Sequence, residues 1–223
     1  MYSSKKYFVF VDVDGTLLRI KTMFSFLQFL YKTKNPWLGR FKFYSYAAMT
    51  KNYEKLGVSR EWLNQRYYRQ FKGRSQSAVM ELGQVWFQQT IKPSHYVSSV
   101  LQTVKNHQRK GGEVVFVSGS FDPCLIPLAK TLQVRHILAT QLEINAGCYT
   151  GKIKVPMIGE SKAVAIRIFL QQHSIASRHC FAYADHSSDL EMLKTVGNPS
   201  IVAGDKQLEQ WATRLQWPVL PLS

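Results

Sequence analysis

Apolar runs that stop abruptly at polar or glycine-containing turns dominate the pattern of this chain. Four of them are typical of buried parallel strands: YFVFVD (7–12), EVVFVS (113–118), HCFAYAD (179–185) and SIVAG (200–204). Helical periodicity follows the second run at 123–132 and the third at 189–197, and a further helix is predicted at 161–173. Strands that alternate with helices indicate an α/β fold with a doubly wound parallel sheet.

A long segment, residues 18–93, separates the first two predicted strands. Its periodicity predicts helices at 23–33, 39–56, 59–71 and 75–91, and the third and fourth have N-cap positions at Ser59 and Ser75. The segment is too long for a simple crossover connection. We therefore expect residues 1–17 and 94–223 to form the core and residues 18–93 to form a small inserted helical cap domain.

A β-hairpin is predicted at 139–153, where the pattern alternates around Asn145-Ala146-Gly147. The three cysteines of the 223 residues form no CxxC pair, which favours a reducing cytoplasm. No stretch has the roughly 18 consecutive apolar residues of a membrane span. We therefore expect a cytoplasmic protein.

Positive charge is concentrated in one part of the chain. The net charge is +15, and residues 18–92 alone carry 14 Lys or Arg against 3 Asp or Glu. This imbalance favours an anionic partner, which could be a phosphorylated substrate, an anionic lipid surface or nucleic acid. A solvated basic face without a partner is the alternative.

Carboxylates and hydroxyls follow the predicted strands at the point where each strand ends. Asp12 and Asp14 end the first run, Ser118-Gly119-Ser120 ends the second, and Asp185 ends the third, with Asp189 close behind. In open α/β sheets, ligands bind outside the carboxyl ends of the strands. Several carboxylates on one rim repel each other unless they share a cation, and Mg²⁺ accepts a few hard oxygen ligands together with phosphate.

Lys162 is placed in the first turn of a predicted helix, where the helix dipole disfavours a cation. A phosphate or carboxylate partner would explain that position. Ser118 and the amides after it precede a helix opened by Pro123, which is an arrangement suited to anions. Each motif alone could be a turn, a helix cap or a surface charge. Their joint order predicts a phosphate cradle.

The four motifs together resemble those of the haloacid dehalogenase superfamily of phosphohydrolases. They are DVDGT at 12–16, VSGS at 117–120, GESK at 159–162 and YADHSSDLEML at 183–193. The resemblance covers nearly the whole core. The phosphoserine-phosphatase-like branch, subfamily IB, is resembled by the position of the cap, by VSGSFDPCL at 117–125, by the hairpin at 138–153 and by QWPVL at 216–220. The cap sequence itself is not matched in detail.

The resemblance implies a Mg²⁺-dependent phosphomonoesterase that works through an aspartyl-phosphate. Asp12 would be the nucleophile, Asp14 would protonate the leaving alcohol and then activate water, and Lys162 would offset charge during transfer. The implied phosphate-binding residues are Ser118, Gly119, Lys162 and Thr16. The implied Mg²⁺ ligands are Asp12, the backbone carbonyl of Asp14, Asp185 and, nearby or through water, Asp189.

Two departures from the family pattern concern the substrate. Phosphoserine phosphatases have an acidic residue shortly after the first motif, whereas this chain has Arg19 and Lys21 there, and a cation would repel an ammonium group. We therefore expect a small, acidic or multiply charged phosphorylated metabolite other than phosphoserine. His186 stands where the family usually has a small residue, and it is a candidate for contact with substrate or metal. A half-exposed loop histidine is the alternative.

Other functions stay open. One is a phosphatase of a lipid phosphate, similar to phosphatidylglycerophosphate, with the protein held peripherally at the inner face of an anionic membrane. Residues 35–49 mix Trp, Phe and Tyr with Arg and Lys, as interfacial helices do, although we favour packing of these aromatics inside the cap. Binding or end-processing of nucleic acid is a weaker alternative, since no nucleic-acid motif is found. A phosphotransferase using the same intermediate is a further one.

Overall fold

The computed structural model describes residues 6–222, without the side chain of residue 34. Within this range the strands are β1 (Phe8–Val11), β2 (Glu113–Ser118), β3 (His136–Ala139), β4 (Gln141–Asn145), β5 (Cys148–Val155), β6 (Phe181–Ala184), β7 (Asn198–Val202) and β8 (Val219–Leu220). The α-helices are α1 (Thr22–Lys34), α2 (Pro36–Lys55), α3 (Arg60–Tyr68), α4 (Gln76–Thr90), α5 (Ser98–Arg109), α6 (Asp122–Thr131), α7 (Glu160–Gln172), α8 (Leu190–Lys194) and α9 (Lys206–Leu215).

Six of these strands form one parallel sheet in the order β3-β2-β1-β6-β7-β8. The central strand β1 lies between β2 and β6, so that Phe10 pairs with Val115 on one side and Ala182 on the other. All four side chains of β1 are apolar and buried, which is typical of a parallel strand covered on both faces. The predicted doubly wound α/β fold is confirmed.

Helices cover both faces of the sheet because successive residues of a strand point to opposite sides. Phe8 and Phe10 face one apolar cluster, which contains Ile166 of α7. Val9 and Val11 face a second cluster, formed by side chains of α5 and α6. Strand β1 is therefore fixed from both sides, and so is the loop that follows it.

The helices predicted in residues 18–93 are present, and their ends shift by one to three residues. Ser59 caps α3 by accepting from the amide of Trp62 at 3.2 Å, and Ser75 caps α4 by accepting from the amide of Ala78 at 3.4 Å. The hairpin β4–β5 turns at Ala146-Gly147, where both φ angles are positive, as a two-residue hairpin turn requires. The sequence pattern missed β3, β8, α5 and α9, which are short or largely polar.

Helices α1–α4 share a third apolar cluster, which includes Phe26, Tyr67 and Trp86. The same cluster contains Phe121, at the start of α6, and Tyr149 of the hairpin. The predicted cap helices thus pack directly on the elements that follow β2. The limits of a cap at 18 and 93 stay a prediction, and residues 1–5 and 223 of the predicted core lie outside the described range. Among residues 6–222, no helix has both the length and the apolarity needed to cross a membrane.

Candidate active site

The carboxyl ends of β1, β2 and β6 meet at one edge of the sheet because these strands are neighbours. They open onto a cavity of about 520 Å³ between the core and helices α2 and α3. The predicted site residues that line this cavity are Asp12, Asp14, Ser118, Gly119, Lys162, Asp185, His186, Asp189 and Lys21.

Lys162 lies between two carboxylates. Its Nζ is 2.6 Å from Oδ1 of Asp12 and 2.9 Å from Oδ1 of Asp189, and all three side chains are buried. Burial alone would lower the pKa of Lys162, but the attraction of the two carboxylates outweighs it and raises the pKa above its usual value. The lysine therefore stays charged. These contacts account for a cation in the first turn of α7, where the helix dipole disfavours one.

The pKa of Asp12 is raised in spite of its contact with Lys162. Burial raises its pKa to about 7, and the nearby Asp189 and Asp185 act in the same direction, while Lys162 opposes them. Burial also raises the pKa of Asp185. Carboxylates that resist ionisation in this way favour the binding of a further cation, which would let them ionise together.

Thr16 joins the carboxylates that follow β1 and β6. Its hydroxyl lies 2.7 Å from Oδ1 of Asp185 and 3.1 Å from Oδ2 of Asp12, and the residue is fully buried. Thr16 is not among the residues that line the cavity. Its hydroxyl joins the two carboxylates, and a contact of Thr16 with phosphate stays a prediction.

Gly15 allows this close approach. Its φ is +99°, and a Cβ at this position would lie 2.2 Å from Oδ2 of Asp185. A side chain here would meet both the backbone strain of the left-handed region and a clash with a carboxylate. The glycine of the first motif thus brings β1 and β6 together at the site.

The two carboxylate oxygens of Asp14 differ in their hydrogen bonding. Its Oδ2 accepts from the amide of Thr22 at 3.0 Å, whereas its Oδ1 is buried without a hydrogen-bond partner among residues 6–222. Burial raises the pKa of Asp14 to about 6, although the hydrogen bonds from Thr22 and the charges of Lys162 and Lys21 lower it in part. A proton on this side chain belongs on Oδ1, from which it can be donated.

The loop after β2 is held by hydrogen bonds from both of its sides. The Ser118 hydroxyl accepts from the amide of Ser120 at 3.1 Å, and Ser118 is buried at the cavity wall. The Gly119 carbonyl accepts from the hydroxyls of Tyr68 (2.7 Å) and Thr140 (2.9 Å). Because Tyr68 belongs to α3, the cap helices are tied to the loop that was predicted to bind phosphate.

The oxygen atoms available at the site suit Mg²⁺ as ligands. Two carboxylates, Asp12 and Asp185, are joined by one hydroxyl, and the backbone carbonyl of Asp14 belongs to the same loop. Over residues 6–222, no group of three or more Asp, Glu, His or Cys side chains is arranged to hold a metal ion by itself. A small set of oxygen ligands suits Mg²⁺, which keeps several of its waters. Asp189 forms an ion pair with Lys162, and its place near Mg²⁺ or bound to it through water stays a prediction.

The predicted substrate contacts divide into two groups. Lys21 and His186 line the cavity. Arg19 does not, because its guanidinium donates to the carbonyl of Leu222 at 2.8 Å. A contact between Arg19 and the substrate stays a prediction.

Sequence reasoning missed several cavity residues from the cap helices. Arg60 reaches across to the fourth motif, where its Nη1 donates to the Ser188 hydroxyl at 2.6 Å and lies 3.1 Å from Nδ1 of His186. Glu54 of α2 and Glu61 of α3 also line the cavity. The N-cap residue Ser59 predicted where α3 begins. No local pattern indicated which residues of that helix face the core.

Sequence comparison finds similarity to known hydrolases. The profile of the family described as haloacid dehalogenase-like hydrolase matches residues 9–194. A protein of Mycobacterium tuberculosis named "Probable phosphatase" is 38% identical over 117 residues, which are 52% of this chain and 41% of that protein. A histidinol-phosphatase of Neisseria meningitidis is 30% identical over 122 residues, 52% of this chain and 55% of that one. The chain thus spans about half the length of these curated relatives.

Solved structures share the fold over nearly the whole chain. A protein of unknown function from Bordetella pertussis has a TM-score of 0.84 at 22% identity, covering 98% of this chain and 99% of that one. A phosphoserine phosphatase, solved as an analogue of its phospho-aspartyl intermediate, has a TM-score of 0.69 at 16% identity, covering 98% and 94%. Identities this low show a common fold only.

Proposed function

The chain belongs to the haloacid dehalogenase-like hydrolases, and on this basis we propose that it hydrolyses a phosphomonoester through an aspartyl-phosphate on Asp12. The observation that carries the proposal is the pairing of two unlike carboxylates at one cavity. Asp12 is held by the ammonium of Lys162, whereas Asp14 keeps a buried Oδ1 that has no hydrogen-bond partner among residues 6–222. One group suits a nucleophile, and the other suits an acid.

In the first step, a carboxylate oxygen of Asp12 forms a bond to phosphorus as the bond to the leaving alcohol oxygen breaks. Asp14 donates its proton from Oδ1 to that alcohol oxygen and becomes anionic. The ammonium of Lys162 offsets the charge on the phosphoryl oxygens, and the Ser118 hydroxyl and adjacent amides are the proposed hydrogen-bond donors to them.

In the second step, water attacks the phosphorus of the aspartyl-phosphate. Asp14 takes a proton from this water, the bond between phosphorus and the Asp12 oxygen breaks, and inorganic phosphate leaves. The site then returns to its starting state. Asp12, Asp185 and the Asp14 carbonyl would hold Mg²⁺, which when bound offsets the negative charge of phosphate and carboxylates.

The lining of the cavity favours a small phosphomonoester whose alcohol part has both apolar and polar groups. Phe24, Tyr46 and Tyr67 line it together with the charged Lys21 and Arg60. Lys21 lies close enough to lower the pKa of Asp14, which disfavours an ammonium group next to the phosphate. We therefore propose a metabolite other than phosphoserine.

Two glutamates of the cap helices bear on the choice of substrate. Glu54 and Glu61 line the same cavity from the cap helices, so that an ammonium group farther from the phosphate would find carboxylates. The Neisseria relative carries the name of a histidinol-phosphatase, which makes histidinol phosphate a compound to include. Phosphoserine, histidinol phosphate, glycerol phosphate and a short-chain lipid phosphate together cover these cases.

The test is Mg²⁺-dependent phosphate release across this panel, with wild type and Asp12→Asn side by side. We expect Asp12→Asn to lose activity by roughly a thousandfold or more, because it removes the nucleophile. Asp122→Asn is the matched control, since Asp122 is an exposed acid in the first turn of α6 outside the cavity. Release that survives in Asp12→Asn, or that needs no divalent cation, contradicts the proposal.

A further inference from the structure

Helix α2 exposes a row of large apolar side chains near its N-terminus. The exposed fractions are 83% for Trp37, 69% for Leu38, 74% for Phe41 and 56% for Tyr44. We call these four residues the outer face of α2. The expectation that the aromatics of 35–49 pack inside the cap is therefore wrong for Trp37, Phe41 and Tyr44.

The orientation of α2 follows from its packing on α1. A Cβ on Gly39 would lie 2.2 Å from the backbone oxygen of Tyr31, so the two helices touch along the side that carries Gly39. The buried residues of α2 are Gly39, Tyr46 and Thr50. Trp37, Phe41 and Tyr44 are spaced by four and three positions, which places them together on the opposite side of the helix.

Large exposed apolar patches mark sites of interaction with other proteins, ligands or membranes. No residue among 6–222 buries it, because all four side chains remain more than half exposed. The inner side of the same helix contributes Tyr46, Thr50 and Glu54 to the substrate cavity. The outer face is therefore separated from the cavity by the width of one helix, about 10 Å.

The charge around the outer face identifies the kind of partner. Arg40, Lys51 and Lys55 are exposed on α2, whereas Glu54 is the one acidic residue of that helix. The surrounding segment 18–92 carries 14 basic and 3 acidic residues. In a symmetric dimer through this face the same cations would oppose each other, which is unfavourable. An anionic surface is complementary.

We propose that the outer face of α2 docks onto an anionic phospholipid membrane. Trp and Tyr side chains favour the interface between headgroups and acyl chains, and flanking Lys and Arg are attracted by anionic lipids. The inference goes beyond the proposed hydrolysis and does not depend on it. Docking holds the cavity close to the lipid surface, where a phosphorylated amphiphile would be reached directly.

The experiment is co-sedimentation with vesicles of phosphatidylcholine alone and of equal parts phosphatidylcholine and phosphatidylglycerol. We expect binding to the anionic vesicles at low salt, weakened by added salt, and reduced about tenfold or more in Trp37→Ser/Phe41→Ser/Tyr44→Ser. The matched control is Val164→Ser/Ile168→Ser, which changes two exposed apolar residues of α7. Neither set of residues lines the cavity, so hydrolysis of a water-soluble phosphomonoester should be unchanged in both variants.

Three results would overturn the proposal. The first is no binding to the anionic vesicles at low salt. The second is equal loss of binding in the α2 and α7 variants, and the third is a dimer of wild type, shown by light scattering, that the α2 variant converts to a monomer. Failure of the hydrolase proposal is distinguishable, because it would remove phosphate release while leaving vesicle binding intact.

Discussion

The ammonium of Lys162 lies 2.6 Å from Oδ1 of Asp12, and both side chains are buried. A buried ion pair of this kind stabilises little as a whole, but it is strongly destabilising to remove one partner alone. The pair therefore links the stability of the fold to the chemistry of the site.

Lys162→Met should destabilise the protein in a pH-dependent way. Without the cation, Asp12 and Asp189 remain buried near each other, and we expect a loss of about 3–5 kcal/mol in the free energy of unfolding near neutral pH. The pKa of Asp12 is already raised to about 7, above its ordinary value of 3.8, so folding favours its protonated form. A raised folded pKa means that stability falls as pH rises between the two values, and the loss in Lys162→Met should grow in the same direction.

Urea unfolding without Mg²⁺, at about pH 5 and about pH 8, measures this difference. Lys194→Met is the matched control, because Lys194 forms an exposed ion pair with Glu191 at 2.9 Å. That variant should lose less than about 1 kcal/mol at either pH. A loss in Lys162→Met that is the same at both pH values would contradict the prediction.

Asp14→Asn should separate the two chemical steps. The amide keeps an oxygen for the Thr22 amide but has no acidic proton to donate, so cleavage of an alkyl phosphate should slow by about 10²–10⁴-fold. The phenolate of p-nitrophenyl phosphate leaves without a proton, so its first step should be affected less. We expect a burst of p-nitrophenol, followed by slow turnover, in rapid-mixing experiments. Equal losses for both substrates without a burst would argue against the assigned role.

Thr16→Val should weaken metal binding while keeping the shape of the loop. The variant removes the hydroxyl that joins Asp12 and Asp185. We expect the Mg²⁺ concentration for half-maximal activity to rise about tenfold or more, because groups that orient metal ligands have effects of this size. Thr16→Ser retains a hydroxyl and should restore most of the affinity. An unchanged Mg²⁺ dependence in Thr16→Val would remove this role.

Arg60→Ala should weaken substrate binding more than it weakens the fold. The Arg60 side chain joins α3 to Ser188 and His186 at the cavity, and it is solvent-exposed. We expect KM to rise about tenfold with a smaller change in kcat, and the free energy of unfolding to change by less than about 1 kcal/mol. Arg69→Ala, which alters another exposed cap arginine, is the control. Equal kinetic effects in the two variants would mean that the contact has no specific role.

The sheet and the position of the site could be predicted from the sequence because both depend on local patterns. Strands β1, β2 and β6 are largely apolar runs. Asp12 follows β1, Asp185 follows β6, and Ser118 is the last residue of β2. The topology of parallel strands then places their ends together. Strand β8 has two residues and α9 is mostly polar, so their patterns were too weak to be recognised.

The cap side of the cavity could not be predicted because it depends on contacts between distant segments. Whether Glu54 and Arg60 face the core is decided by how α2 and α3 pack, and this follows from the cluster that joins Phe26 and Tyr67 to Phe121. The exposure of the outer face of α2 also depends on how the helices pack. Its composition alone was compatible with a buried helix, and the contact between Gly39 and Tyr31 decides which side points outward.

The central position of β1 has a consequence for how this protein folds. Its residue Phe8 pairs with Glu113, and its other neighbour, β6, begins only at Phe181. Pairings between residues so far apart in the chain are slow, because a large loop must close before any contact forms. During synthesis the cap helices leave the ribosome before β2 and long before β6. Asp12 and Asp14 are thus synthesised early. The cluster of carboxylates around Lys162 can form only after Lys162 and Asp189 have been synthesised, so the cation that pairs with Asp12 is present when the cluster forms.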